Sequence, residues 1–308
     1  MSSQIPRRRS SPVRRAGVLG AILGATALVV PTAQVAPDDV ALVRMQRSSA
    51  VDAHQHVIWI LAVGSDARPG QSMTRSRGDA LQMVGLDTRT GAAAAIGIPR
   101  DSFVPIPGYS ANRVNAAMVL GGPQLLGRTV AGMVGVEPDY VMVTRFPFFE
   151  DLVDDIGGIT VTNPRAFSDV NLKPEGFKRG RIRLDGYGAM AFSRIRKSLA
   201  GGDFARSANQ QRVLRAIGAE IRARADRPGF MERGVLSVVQ HMATDLGPAE
   251  LFRVAQAMAQ VEPSRITMCV VGGSVATIRG MSVVRPNLTQ ARRLGAAARD
   301  DATLPAGC

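Results

Sequence analysis

Four short apolar runs set the fold class: HVIWILAVG (56–64), ALQMVGLD (80–87), AAAAIGIP (92–99) and DYVMVTR (139–145). Each has the length of a strand and is bounded by turn or polar residues, so each reads as a buried strand rather than part of a helix. A turn at Thr88 to Gly91 joins the second run to the third. Helical patterns fall between and after these runs. NAAMVLGGPQLLGRTVAGMVG (115–135) reads as two short helices broken at Gly121-Gly122-Pro123, and PFFEDLVDDIGG (147–158) as a helix stopped by glycine. Further helices are expected at 185–193, 206–225, 229–243, 248–259 and 288–299, and further strands at 159–164 and 265–272. Residues 165–183, rich in Lys, Arg and Gly, read as a loop or extended hairpin. Strands intermixed with helices predict an α/β class: a single layered α/β/α domain around a central mixed sheet.

The N-terminus adds a second constraint. Residues 1–15 carry Arg7, Arg8, Arg9, Arg14 and Arg15 and no acid, and Ala16 to Val30 carries no charge. Pro31 to Ala36 extends the apolar run to about 20 residues, enough to cross a bilayer. A basic flank before such a run predicts a signal anchor with its N-terminus inside. The expected order is a cytoplasmic tail at 1–15, a transmembrane helix at 16–36, a polar linker at 37–55 and an extracytoplasmic domain at 56–308. That makes a single-pass protein of the cell membrane. A cleaved signal peptide is the alternative, although Ala25-Thr26-Ala27 lies inside the apolar run and makes a poor cleavage site.

Export limits the partners. The net charge of +13 is nearly all arginine, which by itself suggests nucleic acid. An exported domain meets little nucleic acid, and the 5% aromatic residues do not interleave with the arginines as base-stacking platforms do. The anions to expect are lipid headgroups and lipid-linked or wall-linked phosphates. The only two cysteines, Cys269 and Cys308, are enough for one bridge in an oxidising compartment.

Two stretches could gather such an anion. Asp66 follows the first strand run and Asp79 precedes the second, so antiparallel pairing would bring both carboxylates to one end of the sheet. Beside Arg68, Arg75 and Arg77 they suit Mg²⁺ or Mn²⁺ shared with a phosphate; the plainer reading is two loop aspartates neutralising their neighbours. Arg100 follows the third run and reaches the same end if that strand runs parallel to the first. In FSRIRKSLAGGDFARSANQQR (192–212), Arg206, Gln210, Val213, Ile217 and Ile221 share one helix face. That face is apolar from Val213 onward, so Arg206 and Gln210 point inward at a helix N-terminus, an anion-binding arrangement. Arg194 and Arg196 share a face only in extended chain. GPQLLGRT (122–129) only mimics a phosphate loop, since it has Arg128 for lysine and follows a helical segment. No G-x-S-x-G elbow is present, His54 and His56 have no third ligand in view, and His241 reads as a packing residue.

These residues carry a resemblance. GSDAR, RSRGDALQMVGLD, GIPRDSFVPIPGY, NAA, GGPQLL, DYVMV, LVDDIGGITV, LDGYGAMAFSRIRKSLAGGDFARSANQQRVL and TDL resemble the LytR-CpsA-Psr family in order and spacing, over roughly 56–260. The resemblance implies a phosphotransferase of the bacterial envelope that moves a glycopolymer from a polyprenyl-pyrophosphate carrier onto peptidoglycan through a phosphodiester. Pyrophosphatase activity would be a side reaction. It implies Asp66 and Asp79 as metal ligands, and Arg77, Arg100, Arg194, Arg206 and Gln210 as pyrophosphate ligands. Arg196 and Asp203 would take supporting roles, Asp66 or Asp203 would accept the hydroxyl proton, and an apolar tunnel would hold the lipid. The sequence departs from the family at Gly78 and Ala80, where Ser and Thr are usual, and its Asp66–Asp79 loop is one residue longer. The competing reading is a non-catalytic, membrane-anchored binder of polyprenyl lipids or anionic wall polymer that acts as an envelope regulator.

Overall fold

A computed structural model describes residues 39–46, 56–68, 70–224, 227–228, 230, 242–306 and 308. The basic tail, the apolar run at 16–36, His54 and most of the helix expected at 229–243, including His241, lie outside the described residues. No helix among the described residues is long and apolar enough to cross a membrane.

The core is a seven-stranded mixed sheet. Its strands are β1 (Val40–Arg44), β2 (Val57–Ser65), β3 (Gly78–Asp87), β4 (Ala93–Gly97), β7 (Tyr140–Arg145), β12 (Met242–Thr244) and β13 (Ile266–Val270). They lie in the order β12-β1-β7-β2-β3-β4-β13. The pairs β1–β12, β2–β7 and β4–β13 are parallel, and the others are antiparallel. All four strand runs read from the sequence are in this sheet. Residues 40–44, read as linker, form β1 instead. The run is only five residues long, and its pairing partners lie about a hundred and two hundred residues downstream, so local pattern could not single it out.

Alternate residues of each strand meet different helices. On one face Leu61, Val63, Leu81, Met83, Ile96 and Val141 pack against α1 (Ala116–Val134) and α6 (Leu288–Ala298), through Leu125, Leu126, Val130 and Leu294. On the other, Ile58, Ile60, Leu86 and Tyr140 pack against Val254 and Ala257 of α5 (Pro248–Ala259). A separate apolar cluster joins α2 (Phe146–Asp155), β8 (Ile159–Asn163), β11 (Gly180–Leu184), α3 (Gly186–Arg194) and α4 (Gly202–Arg224). The segment 165–183 contains a small hairpin, β9 (Phe167–Asp169) and β10 (Lys173–Phe177), before β11 pairs with β8. Three rings of this cluster, Phe167, Phe177 and Phe192, lie 5.1–5.2 Å apart.

Other boundaries also differ. Helix α1 does break at Gly121 and Gly122, whose backbone angles are non-helical, and resumes at Pro123. Helix α4 starts four residues before 206, because Gly201 and Gly202 both take positive φ and turn the chain directly into it. A hairpin of β14 (Gly273–Ile278) and β15 (Met281–Pro286) was not foreseen; it packs beside β5 (Phe103–Ile106), which pairs with β6 (Tyr109–Arg113). Cys269 on β13 is bridged to Cys308 with Cα atoms 5.7 Å apart.

Candidate active site

The C-terminal ends of β2, β4 and β7 and the N-terminal end of β3 share one end of the sheet. There Gly64 pairs with Ala80 but Ser65 pairs with Gly78, so Asp79 is the extra residue of a β-bulge. A bulge frees one residue from the ladder and redirects its side chain. Gln210 of α4 donates to the Asp79 carbonyl at 3.3 Å. The buried Asp79 carboxylate accepts from Arg100 on one oxygen and lies 3.4 Å from Arg194 on the other. Arg194 stacks over the Phe146 ring, 4.3 Å from its centroid.

Asp66 is half-buried, and its N–H donates to the Arg77 carbonyl at 3.2 Å, closing the loop that leads to Asp79. Burial and then the neighbouring Asp79 push the Asp66 carboxyl above its ordinary range, against the pull of Arg100, Arg194 and Arg77. The Arg77 side chain is exposed at the rim. Arg145, at the end of β7, donates to the carbonyls of Ala67 (3.5 Å), Arg68 (3.4 Å) and Gln71 (2.7 Å), so one guanidinium holds the whole loop. At Gly78 a Cβ would lie 3.0 Å from both Leu81 and Val63 side chains, so the serine usual in the family would crowd this strand end.

Asp101, which sequence reasoning passed over, is only 3% exposed and ties the second group together. It accepts from Arg196 at 2.7 Å and Arg113 at 3.4 Å, with Arg100 Nε 4.0 Å away. The third group is Asp203 and Arg206, an ion pair one turn apart in α4 with both members at least 95% buried. Asp203 Oδ2 and Arg206 Nε have no partner among the described residues. Burial pushes the Asp203 carboxyl up despite Arg206, and burial lowers Arg206 as well. Gln210 also bonds Ser193 O and Gln82, and Gln211 bonds Gln82 Oε1, Ala95 O and Cys269 O, so α4 is stapled to the sheet by amides. Gln82, a lone amide inside an apolar strand run, was the available signal for this contact. Arg212 turns away, to Asn209 at 2.9 Å.

The structure therefore gathers Asp66, Asp79, Arg100, Arg194, Arg196, Asp203, Arg206 and Gln210 around one cleft, with Arg77 at its edge. It brings Asp101 and Arg113 with them. Among the described residues no group of three or more His, Cys, Asp or Glu converges as a metal site. Asp66 and Asp79 are a pair of neighbouring carboxylates that could offer oxygens to a cation.

The sequence profile of the LytR_cpsA_psr family matches residues 29–299. The polyisoprenyl-teichoic acid–peptidoglycan teichoic acid transferase TagU of Bacillus licheniformis is 34% identical over 174 residues, 56% of this chain and 55% of that protein. TagT of Bacillus subtilis, of the same designation, is 32% identical over 180 residues, again 56% and 55%. The chain thus spans just over half the length of these relatives. Among solved structures, B. subtilis TagV superposes with a TM-score of 0.63 at 26% identity, over 82% of this chain and 99% of that one. TagT bound to LI-WTA shares the fold, with a TM-score of 0.66 at 23% identity, over 83% and 95%. The chain belongs to the LytR_cpsA_psr family.

Proposed function

We propose that this chain is a membrane-anchored phosphotransferase that moves a glycopolymer from a polyprenyl-pyrophosphate carrier onto a peptidoglycan hydroxyl. The observation that carries this reading is the pairing of guanidinium with carboxylate in the cleft: Arg100 and Arg194 on Asp79, Arg113 and Arg196 on Asp101, Arg206 on Asp203. Phosphoryl transfer asks a protein chiefly for positioned positive charge, and these carboxylates hold the arginines in place before an anion arrives. Two relatives are named as teichoic acid transferases, and a TagT structure holds octaprenyl pyrophosphate lipid.

In the proposed reaction Arg100, Arg194 and Arg206 turn their free N–H groups to the pyrophosphate, with Gln210, Arg77 and Arg196 in support. The hydroxyl attacks the phosphorus that carries the glycan, the P–O–P bond breaks and polyprenyl phosphate leaves. Asp66 and Asp203 are the candidate proton acceptors, since burial makes each carboxylate more basic. Water in place of the sugar hydroxyl would give the pyrophosphatase side reaction.

The donor set fits Mg²⁺ or Mn²⁺: two hard carboxylates that repel one another, with substrate oxygens left to complete the shell. Bound there, the cation would neutralise charge on the phosphate oxygens. Asp79 must give up part of its hold on Arg100 or Arg194 to accept it, which links cation binding to arrival of the pyrophosphate.

The proposed location is the outer face of the cell membrane, with residues 16–36 as anchor. A bridge between the only two cysteines supports an oxidising compartment. The test is release of polyprenyl phosphate together with glycan-bearing peptidoglycan from a prenyl-pyrophosphate glycan and acceptor. Wild type should show both, and Arg206→Ala, still folded, should show both much reduced at substrate concentrations below the wild-type KM. Tight lipid binding with no released polyprenyl phosphate in wild type would favour the non-catalytic binder.

A further inference from the structure

The way the chain enters the fold fixes which end of the molecule faces the membrane. Thr144 pairs with Gly64 on one side and with Val40 on the other, so the start of β1 lies level with the end of β2. Arg145 N–H donates to the Asp39 carbonyl at 2.9 Å, and its side chain lies 3.6 Å from the Asp39 carboxylate. The same guanidinium holds the loop after Asp66. Asp39 therefore stands beside the cleft. The apolar run ends at residue 36, and three residues span at most about 10 Å. A bilayer crossed by that run must come within headgroup reach of the cleft end of the sheet.

That end has a matching surface. The tip of the β5–β6 hairpin, the first half of α1 and the loop before β3 meet there. The Tyr109 hydroxyl and Arg75 Nη1 both donate to the Leu120 carbonyl at 3.5 Å, and Gly122 lies against Thr74 and Arg75. Tyr109 (52%), Val119 (45%) and Leu120 (38%) are three of the few large apolar side chains left exposed among the described residues. Arg75 stands exposed beside them, and Arg68 is exposed in the same loop before β3. An aromatic, two aliphatics and flanking arginines have the chemistry of an interfacial anchor on anionic lipid.

We infer that Tyr109, Val119 and Leu120 seat the cleft end of the domain on the bilayer surface, with Arg68 and Arg75 against anionic headgroups. This rests on the proposed anchor at 16–36. It deepens the proposed function, because a pyrophosphate held at headgroup level reaches the arginines without leaving the membrane plane.

Both native cysteines are bridged, so an introduced cysteine can be labelled alone. The full-length protein, as Val119→Cys or Arg89→Cys, is labelled with an environment-sensitive fluorophore and reconstituted in phosphatidylglycerol–phosphatidylethanolamine vesicles. Arg89 is exposed in the turn at the opposite end of the sheet. The label at 119 should shift to the blue and be quenched several-fold more by brominated lipid than the label at 89. Val119→Asp with Leu120→Asp should slow transfer from a long-chain carrier in vesicles at least several-fold, and leave transfer from a short soluble prenyl pyrophosphate unchanged. Equal quenching at the two positions, or equal loss on both substrates, would overturn the inference. Alkaline carbonate separates the two failures. Protein that stays with the vesicles while position 119 is wet refutes the docking surface alone, whereas protein that washes off refutes the anchor and the inference with it.

Discussion

The buried pair of Asp203 and Arg206 makes opposite predictions for stability and for binding, and both follow from its surroundings. Deleting Asp203 leaves a guanidinium 3% exposed with no carboxylate in contact, Asp79 being the remaining acid that acts on it. Breaking such a pair from one side costs about 3–5 kcal/mol. Deleting Arg206 should cost less, because the Asp203 carboxyl is already pushed above its ordinary 3.8 and can take up a proton. A carboxyl whose folded pKa lies above its unfolded value adds stability as pH falls through the folded value, and has its full effect below about 3.8. The deficit of Arg206→Ala should therefore shrink on acidification. For an anion the order reverses. Arg206→Ala removes a charge-assisted hydrogen bond of about 1.5–3 kcal/mol, one to two decades in affinity. Asp203→Ala removes a negative charge which, at about 6 Å and an effective dielectric near 20, opposes the anion by roughly 3 kcal/mol. Looser positioning of Arg206 gives back about 0.5–1.5 kcal/mol. Asp203→Ala should then bind a short prenyl pyrophosphate about tenfold more tightly than wild type, although its melting temperature falls. Denaturant melts from pH 4 to 8 and calorimetry on both single variants and the double variant check this. Weaker binding in Asp203→Ala, equal to that of Arg206→Ala, would refute the electrostatic account.

Other substitutions separate the remaining parts of the cleft. Arg194→Ala should weaken pyrophosphate binding by one to two decades, whereas Arg212→Ala, held on Asn209, should change it little; titration calorimetry on both variants decides. Mg²⁺ and prenyl pyrophosphate should each tighten the other's binding in wild type, and Asp79→Asn should abolish that coupling. Because the Asp66 carboxyl is raised, Mg²⁺ affinity should begin to fall at a higher pH than an ordinary aspartate would allow, measurable as a pH series of the same titration. Arg145→Ala should speed amide hydrogen exchange across the loop between Asp66 and Arg77 and leave the β3–β4 core unchanged. Reducing the bridge between Cys269 and Cys308 should lower stability by roughly 4 kcal/mol by loop entropy, read from denaturant melts with and without reductant.

What the sequence disclosed of the fold depended on how local each signal was. Strands β2, β3, β4 and β7 are each a self-contained apolar run and were legible. Strand β1 is equally buried, but only its pairing with Thr144 and Met242 marks it as a strand. The β14–β15 hairpin was missed for another reason: β14 is largely exposed, so no apolar face announces it. In the cleft, the inward turn of Arg206 and Gln210 could be read because the face they begin continues as Val213 and Ile217, both buried. Asp101 follows Arg100 directly and looks like a surface acid. It is buried by Arg113 from β6 and by Arg196 from far downstream, contacts that exist only once the chain is folded.

The missed aspartate changes how the cleft is understood. Arginines alone would repel one another, and their side chains would scatter without a bound anion. Asp66, Asp79, Asp101 and Asp203 set against Arg77, Arg100, Arg113, Arg194, Arg196 and Arg206 leave these ten residues a surplus of two positive charges. A pyrophosphate diester brings two negative charges, so the surplus matches the proposed substrate as it binds. Breaking the P–O–P bond gives a phosphodiester and a phosphate monoester, which together carry more negative charge than the diester did. A cation on Asp66 and Asp79 would offset the charge that this step adds. On this reading the arginines govern binding and the metal governs turnover. Asp79→Asn should therefore lower kcat far more than it raises KM, Arg206→Ala should raise KM, and steady-state kinetics showing the reverse split would contradict that division.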